Sequence, residues 1–145
     1  MNPEDLPEQL GWLATAWKLA PPPRRGPKPA HSVEEIVSVA IELADRGGIE
    51  EVSLPKIAHR IGVTTNALYR YVGSKDELLQ LLNDAAVGDP PRLGRRGWRA
   101  AAADWSHALI GRYRRHPWML DIPIHGAPIT PNSLGWVEVL LQALD

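Results

Sequence analysis

Lys56, Arg60, Arg70 and Lys75 fall in a stretch, Val52 to Lys75, that contains no Asp or Glu, while the rest of the chain carries all 17 acidic residues. Cations gathered on one segment without acids suit the neutralisation of phosphates along a nucleic acid, a contact that releases condensed counterions. The same stretch reads as two short helical patterns joined by Ile61-Gly62-Val63-Thr64, a helix–glycine turn–helix arrangement. A short, angled helix pair cannot bury itself. It needs helices on either side for a core, and it projects its second helix outward, where a major groove about 12 Å wide admits one.

The flanking sequence supplies those helices. Ser32-Val33-Glu34-Glu35 has the pattern of a capping box, and Ile36, Val37, Ala40, Leu43 and Ala44 follow as one apolar face that Gly47-Gly48 ends. Ser53 caps the first helix of the pair, with Pro55 in its first turn and Leu54, Ile57, Ala58 and Ile61 turned inward. Thr64 or Thr65 caps the second, which holds Leu68 and Tyr71 and stops at Gly73-Ser74. Ser74-Lys75-Asp76-Glu77 then opens a longer helix with Leu78, Leu79, Leu81, Leu82, Ala85 and Ala86.

Pro- and Gly-rich clusters at 21–29, 88–97 and 122–128 divide the chain. The expected organisation is an N-terminal extension (1–29), a helix-turn-helix domain with its connecting helix (30–88) and a second helical block (98–145). The extension reads as a short amphipathic helix bearing Leu6, Leu10, Leu13 and Trp17, widened by Trp12 and Ala16, followed by a basic proline-rich arm. In the last block, Trp98, Ala101, Ala102, Trp105, Leu109, Arg112 and Tyr113 share a helical face, and that helix should end near His116 because Pro117 follows. Pro131 starts a final amphipathic helix with Leu134, Val137, Leu141 and Leu144 inward. No segment alternates with period two over a useful length, so the fold class is all-α.

Composition excludes several functions. The net charge of −1 rules out a uniformly cationic polymer coat. The absence of Cys removes disulfides, thiolate metal sites and cysteine nucleophiles. His31, His59, His107, His116 and His125 show no helical His–His spacing, Asp121 with His125 reads as a loop pair, and Gly94-Arg95-Arg96-Gly97 lacks the pattern of a phosphate-binding loop. No enzyme, cofactor or metal is expected. No apolar run approaches the roughly 18 residues a membrane helix needs, and Glu4, Asp5 and Glu8 argue against an export signal. A cytoplasmic protein is expected. The alternative to a DNA-binding function is a protein-interaction module that keeps the helix pair for packing.

Residues 30–88 resemble the DNA-binding domain of the TetR/AcrR family of bacterial transcriptional regulators. The resemblance is carried by Ile36, Ala40, Leu43 and Ala44; by Ser53-Leu54-Pro55-Lys56-Ile57-Ala58; by Ile61-Gly62-Val63; by Ala67-Leu68-Tyr69-Arg70-Tyr71-Val72; and by Ser74-Lys75-Asp76-Glu77-Leu78-Leu79. Arg25-Gly26-Pro27-Lys28-Pro29 resembles the basic lead-in of actinobacterial-type members. Trp98, Trp105 and His116-Pro117-Trp118 resemble the start of the tetracycline-repressor-like regulatory domain.

The resemblance implies a repressor of double-stranded operator DNA released by a small-molecule effector. It places Thr65, Asn66 and Ala67 against base edges with Arg70 further along: Asn66 suits adenine, Arg70 guanine and the Ala67 methyl thymine. It assigns phosphate contacts to Ser53, Lys56, Tyr69, Tyr71 and Lys75, and a minor-groove arm to Arg24, Arg25 and Lys28. An effector pocket would be lined by Trp105, Leu109, Tyr113, Trp118, Met119, Ile122, Ile124, Trp136 and Val137. Family members continue through two further helices where this sequence stops, at Leu144-Asp145. The regulatory domain is therefore expected to be truncated, with a homodimer interface in helices not present in this sequence.

Overall fold

The structure is a computed structural model that describes residues 11–19, 31–94, 97–124 and 127–144. Helices α1 (Gly11–Ala16), α2 (Val33–Gly47), α3 (Leu54–Ile61), α4 (Thr65–Leu68), α5 (Lys75–Val87), α6 (Trp98–Arg115) and α7 (Pro131–Leu144) follow in order, with 3-10 turns at Ile49–Glu51 and Pro117–Asp121. No strand occurs among the described residues. Leu6, Leu10, Arg24, Arg25, Lys28 and His125 lie outside the described residues.

The starts of the helices follow from their capping residues. Ser32, Ser53, Thr64 and Ser74 are all extended, and each side-chain oxygen accepts from the backbone amide three residues on, satisfying a donor that has no partner inside the helix. The choice between Thr64 and Thr65 thus falls to Thr64. In α5 the Glu77 carboxylate reaches back past the cap to accept from the Gly73 amide at 2.8 Å. The box expected at α2 is only half made, because Glu35 turns its carboxylate to the His31 ring.

Gly62 ends α3 in the left-handed region (φ 76°, ψ 31°), and its amide bonds back to the last turn. A Cβ there would meet no atom within 4 Å, so the demand for glycine is purely conformational. Gly62→Ala is expected to destabilise the protein by about 1 kcal/mol, and Gly62→Asn by less, since Asn tolerates that conformation. Urea unfolding of both variants checks the ranking; an Ala variant as stable as the parent would refute it.

Ile36, Val52, Ile57, Leu68, Leu78 and Leu82 are fully buried together. They come from α2, the turn before α3, then α3, α4 and α5, so the short helix pair is held by the helices before and after it. The same cluster runs on to Trp118, Met119, Ile122 and Trp136, and the two blocks read from the sequence share one core.

Side-chain ties reinforce the junction. Asp84, 8% exposed on α5, accepts from the Asn132 and Ser133 amides and the Ser133 hydroxyl, and so caps α7 from another helix. Trp136 donates its indole N–H to the Gly88 carbonyl, Trp105 donates to the Trp136 carbonyl, and the two rings meet edge-to-face at 5.8 Å. Arg112 caps the Asp89 carbonyl. At the other end, Trp12 and Ala16 pack against the core and Trp17 donates to the Ile129 carbonyl.

Helix α6 ends at Arg115, ahead of Pro117, as the sequence requires. Helix α7 departs from expectation. Leu134, Leu141 and Leu144 are exposed and Trp136 supplies the inward contact, because the Asp84 cap and the Trp105 pairing turn the helix by Trp136 rather than by its leucine stripe.

Candidate nucleic-acid interface

The exposed face of the helix pair starts at α4. Its single regular turn buries Leu68 and leaves Asn66 exposed, with Thr65 and Ala67 half-buried beside it. The sequence pattern runs helical as far as Tyr71. In the structure the regular helix stops at Leu68, and tighter bonds from Arg70 to Ala67 and from Tyr71 to Leu68 carry the chain on. Arg70 is therefore exposed at the end of this short turn.

Tyr69 is 52% exposed, whereas Tyr71 leans on the core. Tyr69 has a phenol free to approach a phosphate, and Tyr71 is chiefly a packing residue whose ring stays partly accessible. Lys75 is exposed in the first turn of α5, next to the α4 face.

The cations are not equivalent. Lys56 Nζ lies 2.6 Å from the Glu51 carboxylate, and Arg60 Nη2 lies 2.7 Å from Glu42 on α2. The acid-free segment is thus partly neutralised from outside, by acids that the fold returns to it. Lys56, expected at a phosphate, is tied to Glu51 in this structure. Both pairs are about half exposed, the kind of contact worth about 1 kcal/mol or less, so a phosphate can compete for either cation. Arg70 and Lys75 make no ion pair or hydrogen bond among the described residues and are the cations that stand ready. Ser53 has its oxygen committed to the Lys56 amide, which leaves its hydroxyl proton to donate.

A second concave region lies between α1, the start of α5 and the segment 119–133, with a volume of about 700 Å³. Of the pocket residues expected from the sequence, Tyr113, Met119, Ile122 and Ile124 line it. Trp105, Leu109, Trp118, Trp136 and Val137 do not line it: the indoles of Trp105, Trp118 and Trp136 are spent on structural hydrogen bonds, and Leu109 packs on the core. The structure adds Trp12 from α1 and Gln80 and Asn83 from α5. The sequence held no signal for these, because the loops alone decide which helix faces meet. No group of three or more potential metal ligands occurs among the described residues. No described helix is long and apolar enough to cross a membrane.

Residues 36–82 match the sequence model of the family described as bacterial regulatory proteins, tetR family. The chain is 36% identical over 135 residues to the HTH-type transcriptional repressor DrrR1 of Streptomyces coeruleorubidus, covering 91% of this chain and 50% of that protein. It is 34% identical over 124 residues to an HTH-type transcriptional regulator of Saccharopolyspora erythraea, covering 81% of this chain and 50% of that one. The chain spans about half the length of these curated relatives. Among solved structures, the Streptomyces coelicolor TetR family protein ActR in complex with actinorhodin shares the fold, with a TM-score of 0.72 at 24% identity, over 81% of this chain and 56% of that one. The segment matched by the family spans α2 to α5, the helices that hold the short pair, and the chain belongs to the tetR family of bacterial regulatory proteins.

Proposed function

We propose that the chain is the DNA-binding part, with the first portion of the regulatory part, of a ligand-responsive transcriptional repressor that acts in the cytoplasm as a homodimer on operator DNA. The observation that carries this reading is the face of α4. Asn66 is exposed on a helix fixed by the buried Leu68 and Arg70 is exposed just beyond it, and Arg70, Lys75 and the Tyr69 phenol have no protein partners among the described residues.

In this reading Thr65, Asn66, Ala67 and Arg70 meet base edges, and Ser53, Lys56, Tyr69, Tyr71 and Lys75 hold the backbone, with Lys56 released from Glu51 on contact. Arg24, Arg25 and Lys28 serve as a minor-groove arm. The reading keeps 1–29 as an extension, 30–88 as the DNA-binding unit and 98–145 as the start of the regulatory unit, two units that share one core. The cavity bounded by Trp12, Gln80, Tyr113, Met119 and Ile122 is the effector site, and a ligand there favours a state with lower operator affinity. DrrR1 is a named repressor and ActR has been solved with a small molecule bound. Both support the reading.

Fluorescence-anisotropy titration against fragments of the protein's own promoter region, at several salt concentrations, tests the proposal. Sequence-selective binding that weakens steeply with salt is expected. Absence of binding across salts would overturn it in favour of a protein-interaction module. The same assay tests the role of Lys56. Glu51→Gln frees this cation and is expected to raise affinity about two- to fivefold at low salt, a difference that shrinks as salt rises. A variant that binds no better than the parent would show that Lys56 does not reach DNA.

A further inference from the structure

The two halves of the molecule are joined covalently by the chain through α5, and α2 is joined to the regulatory half by a separate side-chain cluster. Asp45, in the last turns of α2, places one carboxylate oxygen 2.7 Å from the Trp118 indole nitrogen and 2.7 Å from Nδ1 of the His116 ring. Both groups donate to it, since a carboxylate only accepts. His116 and Trp118 are buried and their rings lie 5.6 Å apart. Two donors from the segment after α6 therefore converge on one oxygen of α2.

The placement of this oxygen has consequences on both sides. One turn earlier on the same helix, Glu42 holds Arg60 of α3. The end of α2 is thus tied to the first helix of the DNA-binding pair by one carboxylate and to the regulatory half by another. On the far side, Met119 follows Trp118 directly, Ile122 comes just after the turn, and both line the cavity of about 700 Å³. A short 3-10 turn, Pro117–Asp121, has the cavity against Met119 and Asp45 against Trp118. Two short hydrogen bonds, with buried donors and an exposed acceptor, tie this turn to α2.

We infer that Asp45 is a positioning residue: through His116 and Trp118 it sets how the DNA-binding unit is carried on the regulatory half, and so how well paired recognition helices match successive grooves. The inference rests on the DNA-binding, homodimeric reading above. It adds a named side-chain route between cavity and helix pair, distinct from the path through α5.

Three variants in the intact protein test it, each checked for an unfolding midpoint above the assay temperature. Asp45→Ala removes the oxygen that both donors share, Asp45→Asn keeps the shape and loses the charge, and Trp118→Phe keeps a smaller aromatic ring and loses the N–H. Affinity is measured by anisotropy on two duplexes, one with both operator half-sites and one with a single half-site. Asp45→Ala is expected to weaken binding to the two-site duplex by at least about fivefold, the lower end of ordinary coupling between sites. Binding to the single half-site should stay within about twofold, because α4 itself is untouched. Asp45→Asn and Trp118→Phe should fall between Asp45→Ala and the parent.

Equal affinity for variants and parent on both duplexes would overturn the inference. So would an equal loss on both, which would make the cluster a support of the helix pair's own fold. A parent that binds both duplexes alike has no two-site geometry to set, and that too overturns it. A parent that binds neither removes the DNA-binding reading itself, a failure seen before any variant is compared.

Discussion

Arg70→Glu is expected to lower affinity for operator DNA by at least 100-fold at moderate salt, with unfolding little changed. Arg70 is exposed just beyond the α4 turn and has no protein partner among the described residues, so the folded protein loses no contact when it changes. In the complex, a bidentate contact to guanine is worth about 1–3 kcal/mol, and reversal of charge adds repulsion from the phosphates. Arg70→Ala should cost roughly tenfold and flatten the salt dependence if the contact is to phosphate, or relax the base preference at one position if it is to a base. Arg60→Ala is the comparison. Its guanidinium is already engaged with Glu42, and the loss should be several times smaller. Anisotropy titrations on operator and scrambled duplexes read all three. An Arg70→Glu protein that binds as the parent does would place the interface elsewhere.

Asp84→Ala is expected to be the most destabilising single change among the polar residues, by about 3 kcal/mol. Its carboxylate takes two amides at the start of α7, at 3.0 and 3.3 Å, and the Ser133 hydroxyl. Truncation leaves these partly buried donors without a protein acceptor and removes a negative charge from the positive end of a helix. For a protein of this size such a loss lowers Tm by roughly 6–12 °C. Asp84→Asn should lose less than half as much, and Ser133→Ala less than about 1 kcal/mol, because only its longest bond is removed. Thr130 stands at the capping position of α7, and Asp84 has taken the amides it would hold. Asp84→Ala/Thr130→Val should therefore cost more than the two single changes together. Thermal unfolding by circular dichroism measures the series. A Tm within about 1 °C of the parent for Asp84→Ala would show that water caps α7 equally well.

The use of tryptophan makes sense only in three dimensions. The chain has six Trp and no Phe. Trp17, Trp105, Trp118 and Trp136 each donate an indole N–H across a tertiary contact, to Ile129, Trp136, Asp45 and Gly88. A phenyl ring is smaller and has no such donor. From the sequence Trp105, Trp118 and Trp136 suggested a pocket lining; in the structure their N–H groups fasten the junction.

Local rules determined a large part of this protein. The caps at Ser32, Ser53, Thr64 and Ser74, the left-handed stop at Gly62 and the apolar spacing from Ile36 to Leu82 fix the helix pair and its neighbours, because each depends on residues within one or two turns. The exposure of Asn66 and Arg70 follows from the same spacing once Leu68 turns inward. Tertiary structure decided what depends on residues far apart in the chain. It returned Glu42 to Arg60 of the basic segment, chose Trp136 over the leucines as the inward face of α7, and brought Asp84 to another helix's end. It also set Asp45 against His116 and Trp118, more than seventy positions away. Helical periodicity fixes which residues share a face, but which face meets which is settled only when buried donors, acceptors and volumes are satisfied together.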